Sequence, residues 1–160
     1  MNTFLVWLLI SIASPEVKEL TGKVVSITDG DTLTVLDDSK VQHKIRLQGI
    51  DAPEKSQAFG NVARKTLGDK VHNRQVRVSW KEKDRYGRII GEMYVDDRHI
   101  NVEMVEEGVA WWYEKYAPND RQLQQAEKKA REAKRGLWSD KAPVAPWEFR
   151  ASKRSTTGQR

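Results

Sequence analysis

Five short runs of alternating apolar residues, one stretch of helical period after the third run and two after the fifth predict an α+β, mainly β domain. The architecture expected is a five-stranded OB-fold barrel with about three helices. Three observations carry this. Turn signals separate the β runs at short intervals, the hydrophobic period switches from 2 to 3.6 and back, and 160 residues suffice for one domain with a real core.

The first run, Gly22 to Thr28, sets Val25 and Ile27 on one parity. Asp29-Gly30 is a hairpin turn signal, and Asp31 to Leu36 follows with Leu33 and Val35 alternating. The polar residues Asp37 to Lys40 lead into a third strand, Val41 to Gly49. In that strand Arg46 falls on one face and Val41, Ile45 and Leu47 on the other, because strand side chains alternate. After Glu54, residues Phe59, Val62, Ala63, Thr66 and Leu67 follow helical spacing. Ser56 is the expected cap and Gly68 the expected terminator. Gln75 to Lys83 alternates again, with Val76, Val78 and Trp80 on one face, and the turn Asp84–Gly87 joins it to Arg88–Val95. A short helix is expected over Asn101–Glu107, ending at Gly108. A last helix is marked by Leu123, Ala126, Ala130, Ala133 and Leu137, with Gly136 as its stop.

Both ends stand apart. Phe4 to Ile10 is an unbroken apolar run too short to span a bilayer. With Ser11 and Ala13 at small-residue positions, residues 1–13 read as a secretory signal cleaved near Ala13, although no Lys or Arg precedes the run. The chain is therefore expected to be exported, periplasmic or secreted; an uncleaved N-terminus would tether it to a membrane instead. Residues 14–140 are the expected domain. Residues 141–160 form a basic tail containing Pro143, Pro146, Trp147 and Phe149, whose end from Ser152 reads as disordered.

Charge and composition narrow the chemistry. With no cysteine, disulfides and thiolate metal sites are excluded, and the scattered His43, His72 and His99 argue against a histidine zinc site. Residues 1–91 carry 15 basic and 11 acidic groups, residues 92–120 carry 2 and 8, and residues 121–160 carry 11 and 4. The regional net charges are +4, −6 and +7. Basic regions of this kind favour nucleic acid or an anionic surface.

Within that frame three loops offer one chemistry. Asp51 and Glu54 flank the stiff Pro53 at the end of the third strand, Asp31 sits at a hairpin turn upstream, Arg46 lies in the third strand, and Arg88 follows a separate turn downstream. Oxygen-only acidic ligands suit a hard divalent ion, and guanidiniums suit phosphate. Asp31 and Asp51, with the Ala52 carbonyl, are candidate metal ligands. Arg46 and Arg88 are candidate phosphate clamps, since a planar fork of donors matches phosphate oxygens. Arg85 and Tyr86 lie beside Arg88 for an adjacent phosphate, and Tyr116 is a candidate to stack a base. Trp111, Trp112 and Tyr113 form an aromatic run, read first as packing residues.

Asp29-Gly30-Asp31-Thr32, Arg46-Leu47-Gln48-Gly49-Ile50-Asp51-Ala52-Pro53-Glu54 and Asp84-Arg85-Tyr86-Gly87-Arg88, in that order and spacing, resemble the thermonuclease (staphylococcal nuclease-like) family. The resemblance continues through Asn101-Val102, Gly108-Val109-Ala110, Pro118-Asn119 and Gly136-Leu137-Trp138, and covers about residues 20–140. It implies the same barrel and a Ca²⁺-dependent endonuclease acting on DNA and RNA with little sequence preference. It further implies 3′-phosphate ends and Glu54 as the activator of water; alongside it, the expectation is a monomer with no small-molecule cofactor and no stable membrane span. Two positions depart from the family: Ala52 where threonine is common, and Glu114 where a tyrosine is expected. The competing expectation is a non-catalytic OB-fold module that binds nucleic acid or a protein. The joint presence of Asp31, Arg46, Asp51, Glu54 and Arg88 favours the enzyme.

Overall fold

The computed structural model describes residues 16–157. The expected signal at residues 1–13 lies outside them. Five strands close the barrel: β1 (Lys18–Ile27), β2 (Thr32–Leu36), β3 (Gln42–Leu47), β5 (Gln75–Lys83) and β6 (Ile89–Val95). Three two-residue strands complete the set: β4 (Ile50–Asp51), β7 (Arg98–His99) and β8 (Trp111–Trp112). The helices are α1 (Gly60–Val71), α2 (Ile100–Glu106), α3 (Arg121–Glu132) and α4 (Pro146–Thr157), with a 3₁₀ turn over Gly136–Ser139.

The ring runs β1-β2-β3-β6-β5 and back to β1. All its pairings are antiparallel except β3–β6, which sets Ile45, Arg46 and Leu47 beside Ile89, Ile90 and Gly91 in parallel. This closure is the expected OB-fold barrel. It consumes the edges an open sheet would leave unpaired. Val24, Leu33, Val35, Ile45, Leu47, Val78 and Met93 fill the interior, and Leu67 and Val71 of α1 with Ile100 and Met104 of α2 join the same core. Each such side chain contributes roughly 1.5–3 kcal/mol on burial.

Several boundaries differ from the sequence-based expectation, each for a tertiary reason. Strand β1 starts at Lys18 rather than Gly22, because its first residues pair with β5, Lys18 opposite Trp80. The third strand is not continuous to Gly49. Gly49 takes φ +72°, breaks the strand, and sends Ile50–Asp51 into a separate pairing with β8. Val41, expected among the inward residues, precedes β3 and is 50% exposed.

Helix α1 begins at Gly60, not near Ser56. Residues 54–60 instead form successive turns, Gln57 N–H to Glu54 O and Gly60 N–H to Gln57 O, and Phe59 is left-handed at φ +65°. Gly68 does not end α1. Burial of Val71 one turn further outweighs the ~1 kcal/mol cost of a mid-helix glycine. Helix α3, capped by the Asp120 carboxylate on Gln122 N–H and Leu123 N–H, stops at Glu132, so Leu137 falls in the 3₁₀ turn. The largest correction is α4. Residues from Ser152, expected without structure, continue a helix to Thr157.

Helix α4 is held by a second, smaller core. Trp111, Ala130, Leu137, Trp138 and Ala145 are buried together, with Phe59 and Trp147 packed against them. The Trp147 ring stacks on Tyr113 at 4.9 Å and 8°, and meets the edge of Trp111 at 5.6 Å. Pro146 opens the helix, where its missing N–H costs nothing. The aromatic run 111–113 is thus packing material, as expected for Trp111.

Candidate active site

The site is assembled where the barrel's β1–β2 turn, the β3–β4 turn and α4 meet. Asp31 opens β2 and is buried. Its Oδ2 accepts the Ala52 amide at 2.8 Å, and its Oδ1 accepts the Thr32 hydroxyl at 2.9 Å. Its carbonyl accepts Leu47 N–H at 2.8 Å. One residue therefore fixes both the end of β3 and the start of the loop that carries Glu54.

Arg46 leaves β3 into the same place. Its Nη1 donates to the carbonyls of Leu47 (2.7 Å) and Ile50 (2.8 Å), closing the tight turn around Gly49. Its Nη2 lies 3.1 Å from Asp51 Oδ1 and 3.3 Å from Asp31 Oδ2. The side chain expected only to clamp phosphate is also the bracket between the two candidate metal ligands. Behind it, buried Asn101 donates to Gln48 O (2.9 Å) and Gly91 O (3.2 Å), and accepts from Met93 N–H (2.9 Å). It pins the turn to β6 with its amide fully engaged.

Asp51 is 1% exposed and paired, through β4–β8, opposite Trp111. Burial raises its pKa. The hydrogen bond from Arg150 and the charge of Arg46 oppose that rise, and the charge of Asp31 adds to it. Glu54 is part-exposed, with 39% of its side chain open to solvent, beyond Pro53. Between the two lies a group absent from the sequence-based site: Arg150 of α4. Its Nη2 is 2.8 Å from Asp51 Oδ2, and its Nη1 is 3.3 Å from Asp51 Oδ1 and 2.8 Å from Glu54 Oε1. Asp29 is the other addition. Its carboxyl is pushed up to about 7, first by burial and then by the neighbouring charge of Asp31.

The remaining candidates lie further out. Arg88 donates from Nε to Asp84 Oδ2 at 2.7 Å, inside its own β5–β6 hairpin. Arg85 contacts the Tyr86 hydroxyl at 2.6 Å. Tyr86 and Tyr116 are 67% and 66% exposed, as base-stacking residues need to be. Tyr116 stands edge-on to Tyr113 at 4.7 Å, and Tyr113 in turn stacks on Trp147. The structure thus joins Asp31, Arg46, Asp51, Ala52 and Glu54 in one cluster. It leaves Arg85, Tyr86 and Arg88 on a neighbouring hairpin.

The donors are all of the oxygen type that suits a hard divalent ion: Asp31 and Asp51 meet Arg46, and Asp51 and Glu54 meet Arg150, so Asp51 already carries a cationic fork. Among the described residues no group of three or more acidic or histidine side chains is gathered to enclose an ion.

Comparison with known proteins gives this geometry its context. Residues 44–140 match the family described as Staphylococcal nuclease homologue. The chain belongs to that family. Its barrel, its acidic cluster and its membership make it a nuclease. It is 41% identical over 156 residues to a micrococcal nuclease of Shigella flexneri, covering 91% of this chain and 89% of that one. An uncharacterized endonuclease of Haemophilus influenzae is 43% identical over 149 residues, 93% of this chain and 82% of its own. Protein ParB of Escherichia coli is 44% identical over 149 residues, 87% and 84% respectively. No helix among the described residues is long and apolar enough to cross a membrane.

Proposed function

We propose that this nuclease is a Ca²⁺-dependent endonuclease that hydrolyses DNA and RNA with little sequence preference and leaves 3′-phosphate ends. The observation that carries the reading is the buried Asp31–Asp51 pair, bracketed by Arg46 and set beside the part-exposed Glu54. Asp31 and Asp51, with the Ala52 carbonyl, would hold Ca²⁺. When bound, that ion supplies charge neutralisation at the phosphoryl oxygens and lowers the pKa of water.

The chain's own residues do the rest. Glu54 takes a proton from the attacking water, whose oxygen bonds to phosphorus. The P–O5′ bond breaks, the leaving O5′ takes up a proton from solvent water, and the phosphate stays on the 3′ side. Arg46 and Arg88 meet the phosphoryl oxygens as their charge grows, Arg88 by leaving Asp84. Donors of this kind contribute about 3 kcal/mol each. Arg85, Tyr86 and Tyr116 hold the flanking nucleotides by phosphate contact and base stacking. The enzyme works as an exported monomer, released by cleavage after Ala13.

The test is incubation of the purified protein with single- and double-stranded DNA and RNA in Ca²⁺, Mg²⁺ or chelator, with end-group analysis. Ca²⁺-dependent cleavage to 3′-phosphate and 5′-hydroxyl ends supports the reading. Undiminished cleavage after exhaustive metal removal overturns it.

A further inference from the structure

Helix α4 does more than cover the second core. Phe149, Arg150 and Lys153 share one of its faces. With Glu54, Lys55 and Ser56 they line an open cleft of about 440 Å³. Glu54, the side chain proposed to activate water, is one of its lining residues. Three of its six lining residues are cationic and one is acidic. Lys153 donates to the Ser56 hydroxyl at 2.7 Å, and its Nζ stands 4.7 Å from the Phe149 ring centre. An aromatic wall edged by ammonium and guanidinium groups, with a hydroxyl between them, is the chemistry that takes one nucleotide: base against ring, phosphate against cations.

The cleft is built, not incidental. The Trp147 stack on Tyr113 fixes the first turn of α4, and Gln57 Nε2 donates to Val144 O at 2.7 Å, tying the segment before α4 to the turns after Glu54. Arg150 is shared, its guanidinium on Asp51 and Glu54 and its stem on the cleft wall.

We propose that this cleft is a nucleotide subsite of the substrate strand, next to the phosphate being cleaved. Lys55 and Lys153 contact its phosphate, Phe149 carries its base, and the C-terminal helix is part of the substrate-binding surface. The proposal rests on the endonuclease reading and extends its binding site.

The test compares the full chain with Lys55→Gln/Lys153→Gln. As a charge control, Lys128→Gln/Lys134→Gln removes two cations of the α3 region. Binding of a fluorescent single-stranded oligodeoxynucleotide is measured in chelator across a salt series. Cleavage of a long strand and of a dinucleoside monophosphate, whose single phosphate is the one cleaved, is measured in Ca²⁺. Loss of one single-strand phosphate contact should lower the log–log salt slope by about 0.7. KM should rise several-fold for the long strand only, and the control should keep both values. A slope equal to that of the parent, or equal KM increases for both substrates, overturns the proposal. Lys153→Glu serves as a second variant, expected to weaken long-strand binding further at an unchanged melting temperature. Failure of the endonuclease reading shows separately, as absence of Ca²⁺-dependent cleavage by the parent.

Discussion

The guanidinium of Arg150 lies forked on the carboxylate of Asp51, with Nη2–Oδ2 at 2.8 Å and Nη1–Oδ1 at 3.3 Å. Asp51 holds the Arg150 pKa above its ordinary value by this hydrogen bond, against burial and with help from Glu54. A charge-assisted bond of this kind contributes about 1.5–3 kcal/mol. It also occupies the oxygens that a divalent ion on Asp51 must share.

Arg150→Gln should therefore tighten Ca²⁺ binding to the protein alone, by about tenfold, since the ion no longer competes with the guanidinium. Calorimetric titration of Ca²⁺ without nucleic acid measures it, with Arg154→Gln as the charge control. Equal or weaker affinity in Arg150→Gln would show that the ion does not use Asp51 in the way described.

The two sequence-predicted clamps should separate by stability. Arg46 serves two carbonyls and two buried carboxylates, so Arg46→Ala strands charge in the interior. Breaking a buried pair in this way costs about 3–5 kcal/mol. Arg88 pairs with Asp84 at a hairpin end, and Arg88→Ala should cost about 1 kcal/mol or less. Urea unfolding decides it. Equal losses would contradict the bracketing role of Arg46. Arg88→Lys should fail to restore turnover, because one ammonium cannot reproduce the fork.

Away from the site, Glu103 of α2 joins Arg98 and Lys70. The Arg98 hydrogen bond, then Lys70, holds its carboxyl below the ordinary carboxylate value against burial. A depressed folded pKa stabilises the fold above the unfolded carboxylate range, and that contribution is lost as pH falls through the folded pKa. Glu103→Gln should melt lower than the parent near pH 7, and the gap should close in acid below the ordinary carboxylate range. A gap independent of pH would assign the effect to packing.

The barrel was legible in the sequence because its strands alternate between turn signals, but the inward parity of β1 was not: Val24 is buried while Val25 and Ile27 are half-buried, beside a bulge between Val24 and Ser26. The cluster of Asp31, Arg46, Asp51 and Glu54 was legible because β2, β3 and the following turn are neighbours in sequence and space. Helix α4 was not. Its residues from Ser152 are polar and basic, and its stability comes from Trp147 on Tyr113, a contact that no local pattern announces. Arg150 was missed with it, since it meets Asp51 only through that docking. Ser56 and Gly68 failed as helix limits for the same kind of reason: turns around Glu54 and the burial of Val71 set the ends of α1.

The central claim is that Asp51 and Glu54 carry metal-assisted phosphodiester hydrolysis. The most direct measurement is cleavage of end-labelled single-stranded DNA in saturating Ca²⁺ by the parent, Asp51→Asn and Glu54→Gln, beside oligonucleotide affinity for each. Rapid cleavage is expected of the parent, with kcat lowered about 10²–10⁴-fold in Glu54→Gln at nearly unchanged affinity. Asp51→Asn should lose the Ca²⁺ response. Near-parental kcat in Glu54→Gln, with an unaltered Ca²⁺ response in Asp51→Asn, would contradict the claim and move the chemistry elsewhere on the barrel.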